Sequence, residues 1–271
     1  MDARSNNFAN VGGYNLQDGR RFFDIACIFA AYINCDDNTN KPVLFFSPQV
    51  SYVLNNTNDV KILQDLGIAV LLTVTGNYEN AGWSGFTYEA AAMDFAEQLA
   101  DAVNKYGLDG IDINDECSIC TPNDTSLIMV TNAMRRFMPD KIISKALFTD
   151  GRCFNATWDG LKLADNLSYG WEISYWNPNA NSRLRPYLDA GMQKKKLGLG
   201  VAINSTQTFM TREIAQFVKD KGFGGMMIYN VTKNSQDYLS IISQTLSDKE
   251  TIARPDFLVE SFNPDFSGFP L

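Results

Sequence analysis

The feature that most constrains the fold of this chain is a regular alternation of short apolar runs with longer amphipathic segments. The apolar runs are rich in β-branched and aromatic residues and predict buried strands; they cover residues 23–31, 43–46, 69–74, 110–113, 142–147, 167–175, 196–202 and 225–229. The amphipathic segments predict helices; they cover residues 49–66, 88–106, 126–137, 184–193, 211–221 and 236–246. Such alternation implies right-handed βαβ units and parallel strands. The pattern therefore predicts a single α/β domain over residues 1–271, a (β/α)8 TIM barrel with its active site at the C-terminal ends of the strands.

The two ends of the chain depart from this pattern. Residues 1–5 are too few and too polar for a good central strand, whereas residues 257–262 (FLVESF) form an apolar run after the last predicted helix. A barrel with a gap exposes two strand edges, which proteins usually cover. We therefore expect the C-terminal segment to fill in for the short first strand and to pair beside the strand at 23–31.

Composition narrows the classes of function. The net charge of −8, with 23 basic residues and no basic stripe, argues against a nucleic-acid partner. No run of 18 apolar residues is present that could span a membrane, and residues 1–4 lack the apolar region of a signal peptide.

The histidine and cysteine content limits the possible chemistry. The chain has no histidine, so Ser-His-Asp and Cys-His machinery is excluded, and carboxylates and tyrosines must carry any acid–base work. Five scattered cysteines do not indicate a disulfide framework. The pair Cys117 and Cys120 has metal-binding spacing, but zinc would need more ligands than this pair offers. We expect no metal site and no cofactor.

A row of polar side chains follows the helix predicted at 88–106. In residues 106–116 (YGLDGIDINDE), strand periodicity places Asp112, Asn114 and Glu116 on one face and the intervening isoleucines on the other. The isoleucines indicate a buried strand, in which two acids and an amide are costly unless they are paired or used for chemistry. A retaining sugar hydrolase needs such a row, with an acid at its end to protonate the leaving oxygen.

This row resembles the DGxDxDxE signature of glycoside hydrolase family 18, the chitinases and endo-β-N-acetylglucosaminidases. Asp109, Gly110, Asp112 and Glu116 match the signature, and Asn114 stands where the family has its third Asp. Residues 10–19, 23–31, 71–77, 102–110 and 138–144 are similar to the endoglycosidase H branch of that family. The resemblance extends over about residues 6–246 and so includes nearly the whole chain.

The resemblance implies an enzyme that cleaves between the two GlcNAc residues in the diacetylchitobiose core of N-glycans. In this family the 2-acetamido group of the substrate attacks the anomeric carbon, and water opens the resulting oxazolinium ion with retention. Glu116 would then be the general acid, Asp112 would support the row, and Asp109 and Gly110 would support the motif structurally. Asn114 can hydrogen-bond the acetamide but supplies no charge, so attenuated activity is expected. Glycoside hydrolase family 85 also pairs an Asn with a Glu two residues later, which keeps Asn114 compatible with catalysis.

Further site residues follow from the same resemblance and from loop positions. Tyr175 aligns with a tyrosine that donates its hydroxyl to the acetamide oxygen, which would make it part of the catalytic set. Four residues are expected to bind substrate, with the tryptophan as a platform for a sugar face: Asn77, Trp83, Tyr229 and Asn230. For each aromatic residue, ordinary packing is the alternative.

Two other functions remain open at this point. The first is a non-catalytic N-glycan-binding protein on the same barrel, including an engineered inactive mutant; it would need the aromatic platforms but not Glu116. The second is a chitinase, which the similarity to the endoglycosidase H branch disfavours. We expect an N-glycan or glycoprotein as the partner, and a monomer that is secreted or held at a bacterial cell surface. The loops at 117–124 and 177–183 leave the glycan class open.

Overall fold

The computed structural model describes residues 7–148 and 150–259. The strands in these residues are β1 Tyr14–Leu16, β2 Ile25–Cys35, β3 Pro42–Phe45, β4 Ala69–Gly76, β5 Gly110–Asn114, β6 Ile142–Leu147, β7 Tyr169–Glu172, β8 Leu197–Ala202, β9 Gly225–Tyr229 and β10 Thr251–Ala253. The α-helices are α1 Pro48–Asn56, α2 Asp59–Asp65, α3 Glu89–Tyr106, α4 Ser126–Phe137, α5 Gly151–Asn155, α6 Leu163–Asn166, α7 Ala180–Asp189, α8 Thr208–Lys221 and α9 Gln236–Ser247. Short 3-10 helices lie at Phe8–Gly13, Trp83–Gly85 and Lys194–Lys196.

The main sheet has the strand order β3-β2-β4-β5-β6-β7-β8-β9. From β2 and β4 through to β9 each strand pairs in parallel with the next, as the strand–helix alternation predicts. This curled sheet with its surrounding helices is an irregular (β/α)8 barrel. Strands β1 and β10 form a separate antiparallel pair. None of the helices in the described ranges is long and apolar enough to cross a membrane.

Two predicted elements differ from the structure. The segment at 43–46 was expected as a barrel strand, but β3 instead runs antiparallel to the end of β2, because a short connection can only return the chain in a hairpin. The single helix predicted at 49–66 is two helices, α1 and α2. Thr57 separates them: its hydroxyl donates to the carbonyl of Val53 (2.8 Å) and accepts from the amide of Asp59 (3.2 Å).

The expected C-terminal strand is not seen where the structure describes that segment. The amides of Phe257 and Leu258 both donate to the carbonyl of Arg254 (2.9 and 3.2 Å), so these residues form a turn. The backbone of Val259 forms two hydrogen bonds with the side chain of Asn10. The amide of Val259 donates to Asn10 Oδ1 (2.9 Å), and Asn10 Nδ2 donates to the carbonyl of Val259 (3.0 Å), so the side chain takes the place of a strand edge. The predicted pairing with β2 is wrong for residues 257–259, and residues 260–262 lie outside the described ranges.

Helix α3 shows how the local sequence sets the position of the polar row. Its apolar stripe, which includes Phe95 and Leu99, is fully buried, and burying each such side chain stabilises the fold by roughly 1.5–3 kcal/mol. The helix ends at Gly107, which adopts the left-handed conformation (φ 63°) that favours glycine at a helix C-terminus. The chain then turns directly into β5, all five residues of which are buried. The polar row therefore starts inside the barrel.

Candidate active site

Asp109 and Gly110 hold the base of the row. The carboxylate of Asp109 accepts from the amide of Val70 (2.7 Å) and the side chain of Gln64 (2.9 Å), which fixes the start of β4 against β5. At Gly110 a Cβ atom would lie 1.9 Å from the carbonyl oxygen of Ile142, so only glycine lets β5 and β6 come this close. Both residues thus hold the start of β5 against its two neighbouring strands.

Asp112 lies in the middle of the row with hydroxyl donors on both sides. Ser144 Oγ on β6 donates to one carboxylate oxygen (2.5 Å), and Thr73 Oγ1 on β4 donates to the other (3.0 Å). Burial raises the pKa of the Asp112 carboxyl, and the bonds from Ser144 and Thr73 oppose part of that effect. Asp112 is thus a buried carboxyl that is held in place from two neighbouring strands.

Asn114 and Glu116 continue the same face towards solvent. Asn114 is the last residue of β5 and is buried, and its side chain faces the cavity described below. Glu116 lies two residues beyond the strand, and its side chain is exposed at the mouth of that cavity. The backbone carbonyl of Glu116 accepts from the amide of Gly76 (3.0 Å), where a Cβ atom would lie 2.6 Å from that carbonyl oxygen. Glycine at position 76 therefore allows the loop with Glu116 to lie against the end of β4.

One cavity of about 610 Å³ brings together Asp112, Asn114, Glu116, Tyr175 and Tyr229. The rings of Tyr175 and Tyr229 stack with their centroids 6.4 Å apart and an angle of 11° between their planes. Burial raises the pKa of the Tyr175 hydroxyl, and the nearby Tyr229, Glu116 and Asp112 raise it further, so near neutral pH this hydroxyl is protonated and can donate. The cavity has the size of a small-ligand site.

The expectation that Trp83 provides a sugar platform is wrong. Its side chain is 0% exposed, its indole nitrogen donates to the carbonyl of Val74 (2.8 Å), and its ring contacts the ring of Phe95 edge-on at 5.7 Å. The loop folds inwards here because a buried indole ring contributes more apolar contact than an exposed one. Trp83 is a core residue beneath the β4 loop.

Asn77 and Asn230 follow β4 and β9 as expected but are not among the residues that line the cavity. The side-chain amide of Asn77 donates to Asn34 Oδ1 (3.0 Å), which ties the end of β4 to β2. Asn230 follows Tyr229 through a cis peptide bond. Their contact with substrate therefore stays a prediction.

Several aromatic residues that were not predicted also line the cavity, among them Phe29, Phe148 and Trp176. Trp176 is 67% exposed, and its ring meets that of Phe148 edge-on with centroids 5.8 Å apart. The sequence holds a signal for Trp176, because it directly follows Tyr175 at the start of a polar loop (NPNAN). An exposed tryptophan at the edge of this cavity is suited to stack against a sugar ring.

In the described ranges, no group of three or more His, Cys, Asp or Glu side chains is arranged to hold a metal ion. The five cysteines are all free thiols. The arrangement offers a solvent-accessible carboxyl group above a buried amide and a buried carboxyl group, with the protonated hydroxyl of Tyr175 beside them. A retaining sugar hydrolase needs such a set, with an acid that can protonate the leaving oxygen and polar groups below it.

Comparisons with known proteins place the chain in a family. No protein-family model matches it. An endo-β-N-acetylglucosaminidase of Flavobacterium sp. (strain SK1022) is 33% identical over 256 residues, which are 91% of this chain and 78% of the relative. Endo-β-N-acetylglucosaminidase F1 of Elizabethkingia meningoseptica is 25% identical over 232 residues, which are 82% of this chain and 67% of the relative. The chain belongs to the endo-β-N-acetylglucosaminidases of glycoside hydrolase family 18.

Solved structures share the fold. The crystal structure of EndoBT-3987 from Bacteroides thetaiotamicron with a Man5GlcNAc product matches with a TM-score of 0.78 and 23% identity; the match covers 93% of this chain and 60% of that one. The present chain thus spans 60% of the length of that solved chain. A chitinase catalytic domain from Ostrinia furnacalis matches with a TM-score of 0.65 and 15% identity, and covers 85% of this chain and 90% of that one. Both confirm the barrel.

Proposed function

We propose that this protein hydrolyses the bond between the two GlcNAc residues in the diacetylchitobiose core of N-glycans. The observation that supports this most directly is the shared cavity of Glu116, Asn114, Asp112 and Tyr175 at the C-terminal ends of the barrel strands. The sequence relatives are named for this activity. The structural relative EndoBT-3987 was solved with a Man9GlcNAc2Asn substrate.

Binding places the GlcNAc residue that bears the scissile bond in the cavity, with its acetamide between Asn114 and Tyr175. The Tyr175 hydroxyl donates to the acetamide oxygen and turns it towards the anomeric carbon. Asn114 accepts from the acetamide N–H through its side-chain oxygen. The stacked Tyr229 closes one wall, and Trp176 offers a face to sugar residues that extend from the mouth.

In the first chemical step, the acetamide oxygen forms a bond to the anomeric carbon while the bond to the leaving oxygen breaks. The carboxyl group of Glu116 gives its proton to that leaving oxygen. In the second step, the Glu116 carboxylate takes a proton from water, which attacks the anomeric carbon and opens the oxazolinium ring with retention. Asn114 stabilises the cationic ring with a dipole rather than a charge, so we expect turnover slower than with a carboxylate at this position.

The direct test is incubation with a glycoprotein that carries high-mannose N-glycans, followed by mass spectrometry. Cleavage leaves one GlcNAc on the asparagine, and Glu116→Gln is the matched control because it keeps the shape of the side chain without the acid. An unchanged glycoprotein mass after prolonged incubation with excess folded protein would contradict the proposal.

The alternative is a non-catalytic N-glycan-binding protein, which the uncharged Asn114 and the exposed Trp176 favour. Calorimetry with a chitobiose-core glycan separates the possibilities: binding without cleavage supports the alternative, and no heat of binding contradicts both. In either case we propose that the natural partners are N-glycoproteins met by a protein that is secreted or displayed at a bacterial surface.

A further inference from the structure

A buried ion pair lies beneath the loop that carries Tyr175 and Trp176. Glu172 is the last residue of β7, Arg183 lies in α7, and the guanidinium Nε of Arg183 contacts the carboxylate of Glu172. The side chains are 0% exposed for Arg183 and 4% for Glu172. The pair therefore lies at the same end of the barrel as the active-site cavity, but behind its wall.

Both partners bind the backbone of this loop. The carboxylate of Glu172 accepts from the amide of Ser174 (3.2 Å), and the guanidinium of Arg183 donates to the carbonyl of Asn177 (3.2 Å). The two bonds hold the segment just before and just after Tyr175 and Trp176. The carbonyl of Tyr175 itself accepts from Thr206 Oγ1 (3.1 Å).

The same guanidinium also fixes the loop to the barrel. Its Nη2 donates to the carbonyl of Glu172 (3.1 Å) and to the carbonyl of Gly200 on β8 (2.9 Å). Arg183 thus connects β7, β8 and the loop in one planar set of hydrogen bonds. A lysine could not reproduce this set, because its ammonium is a point charge and not a fork of donors.

Stability alone does not explain such a pair. The cost of removing two charges from water largely offsets their attraction, and well-packed apolar residues often stabilise a protein as well or better. The pair does fix the position of the loop. Every described hydrogen bond of the Arg183 guanidinium is to a backbone carbonyl or to the Glu172 carboxylate, and these acceptors surround Tyr175. A reacting group that is misplaced by about 1 Å can cost about 10²-fold in rate.

We propose that Glu172 and Arg183 are positioning residues that set the place of the Tyr175 hydroxyl against the substrate acetamide. This inference rests on the proposed function of Tyr175. Neither residue touches the substrate, and both act through the loop at 173–177.

The test is a double-mutant cycle between Glu172→Gln and Tyr175→Phe, with kcat and KM measured on a high-mannose glycopeptide. If the pair acts through Tyr175, Glu172→Gln should lower kcat by up to about 10²-fold in the parent. It should have little further effect once Tyr175 is phenylalanine. Arg183→Lys should give a smaller loss than Arg183→Met. If the fold decrease in kcat of the double variant equals the product of the two single-variant decreases, the two residues act independently and the proposal is overturned.

A matched control removes a buried hydrogen bond far from this loop. Thr131 in α4 is fully buried, and its hydroxyl accepts from the side chain of Asn166 (3.0 Å). Thr131→Val should lower thermal stability without changing kcat. If it lowers kcat as strongly as Glu172→Gln does, general destabilisation explains the effect and the positioning role is wrong.

A second measurement does not depend on turnover. Acetylation of tyrosines by N-acetylimidazole at neutral pH, mapped by peptide mass spectrometry, reports how far solvent reaches the Tyr175 hydroxyl. Glu172→Gln should make Tyr175 react faster, because the freed loop exposes the ring, whereas Thr131→Val should not. If no variant cleaves or binds glycan, the proposed function fails, but faster acetylation of Tyr175 in Glu172→Gln would still support the positioning role. Unchanged acetylation would refute it.

Discussion

Asn114→Asp is the change that tests the chemistry of the site most directly. It restores a carboxylate beside the position where the oxazolinium charge develops, and it alters neither the length nor the branching of the side chain. At about 4 Å, with an effective dielectric constant of about 20, the attraction between two such charges is about 4 kcal/mol. Mutations of single groups that stabilise charge in a transition state typically change rates by about 10²–10³-fold. We therefore expect kcat to rise by about 10²–10³-fold.

The new carboxylate also has a cost in stability. Asp112 and position 114 point to the same face two residues apart, and a strand rises about 3.3 Å per residue, so the two carboxylates lie about 6.6 Å apart. Their repulsion at the same effective dielectric constant is about 2.5 kcal/mol. We expect the free energy of unfolding to fall by up to that amount at alkaline pH, and by less in acid, where the two carboxylates can share one proton.

The assay pairs kinetics with unfolding. Steady-state hydrolysis of a labelled high-mannose glycopeptide gives kcat for the parent, Asn114→Asp and the uncharged control Asn114→Leu. Urea unfolding at acid and alkaline pH gives the stability of each. If Asn114→Asp loses stability as calculated but is no faster than the parent, the missing charge is not what limits turnover. The glycan-binding alternative would then explain the site better.

Four other changes give distinct results. Glu116→Gln should abolish hydrolysis of ordinary glycans and slow transfer from a synthetic sugar oxazoline less severely, because the oxazoline bypasses the acid step but its opening still uses the Glu116 carboxylate as base. Chromatography of both reactions tests this, and retained hydrolysis would mean that another group is the acid. Trp83→Ala should lower the free energy of unfolding by about 3–5 kcal/mol without changing calorimetric glycan affinity. Trp176→Ala should weaken glycan binding with little change in stability, and the reverse pattern would contradict the assignment of the two tryptophans. Because burial raises the pKa of Asp112, the native state prefers the protonated form, and parent stability falls as pH rises through that pKa. The Tm advantage of Asp112→Asn over the parent should therefore grow from acid to neutral pH, and an advantage that shrinks over this range would refute the burial argument.

The polar row could be predicted because its geometry is local. Strand periodicity alone decides which of residues 110–114 share a face, and the isoleucines between the polar residues identify the buried strand. The order of the parallel strands could also be predicted, since right-handed βαβ units leave few alternatives. The short return strand β3 could not be separated from a barrel strand by its composition, because both are apolar runs of similar length.

The side chains around the row were harder to predict because partners distant in sequence decide their positions. Trp83 and Trp176 both lie in loops with glycine or asparagine, yet one is 0% exposed and the other 67%. The difference arises where the indole of Trp83 meets Val74 and Phe95, which local sequence does not show.

The same reasoning applies to the two groups with the most direct part in the proposed chemistry. Glu116 and Tyr175 both lie beyond the ends of their strands, and each is fixed by a neighbouring element: Glu116 by the amide of Gly76, and Tyr175 by the hydroxyl of Thr206. Asp112 and Asn114, by contrast, are fixed by the strand itself. Substitutions at position 114 should therefore change the charge of the site while its backbone stays nearly unchanged. Changes near Gly76 or Thr206, by contrast, should move Glu116 or Tyr175. This is why Asn114→Asp can isolate one electrostatic contribution.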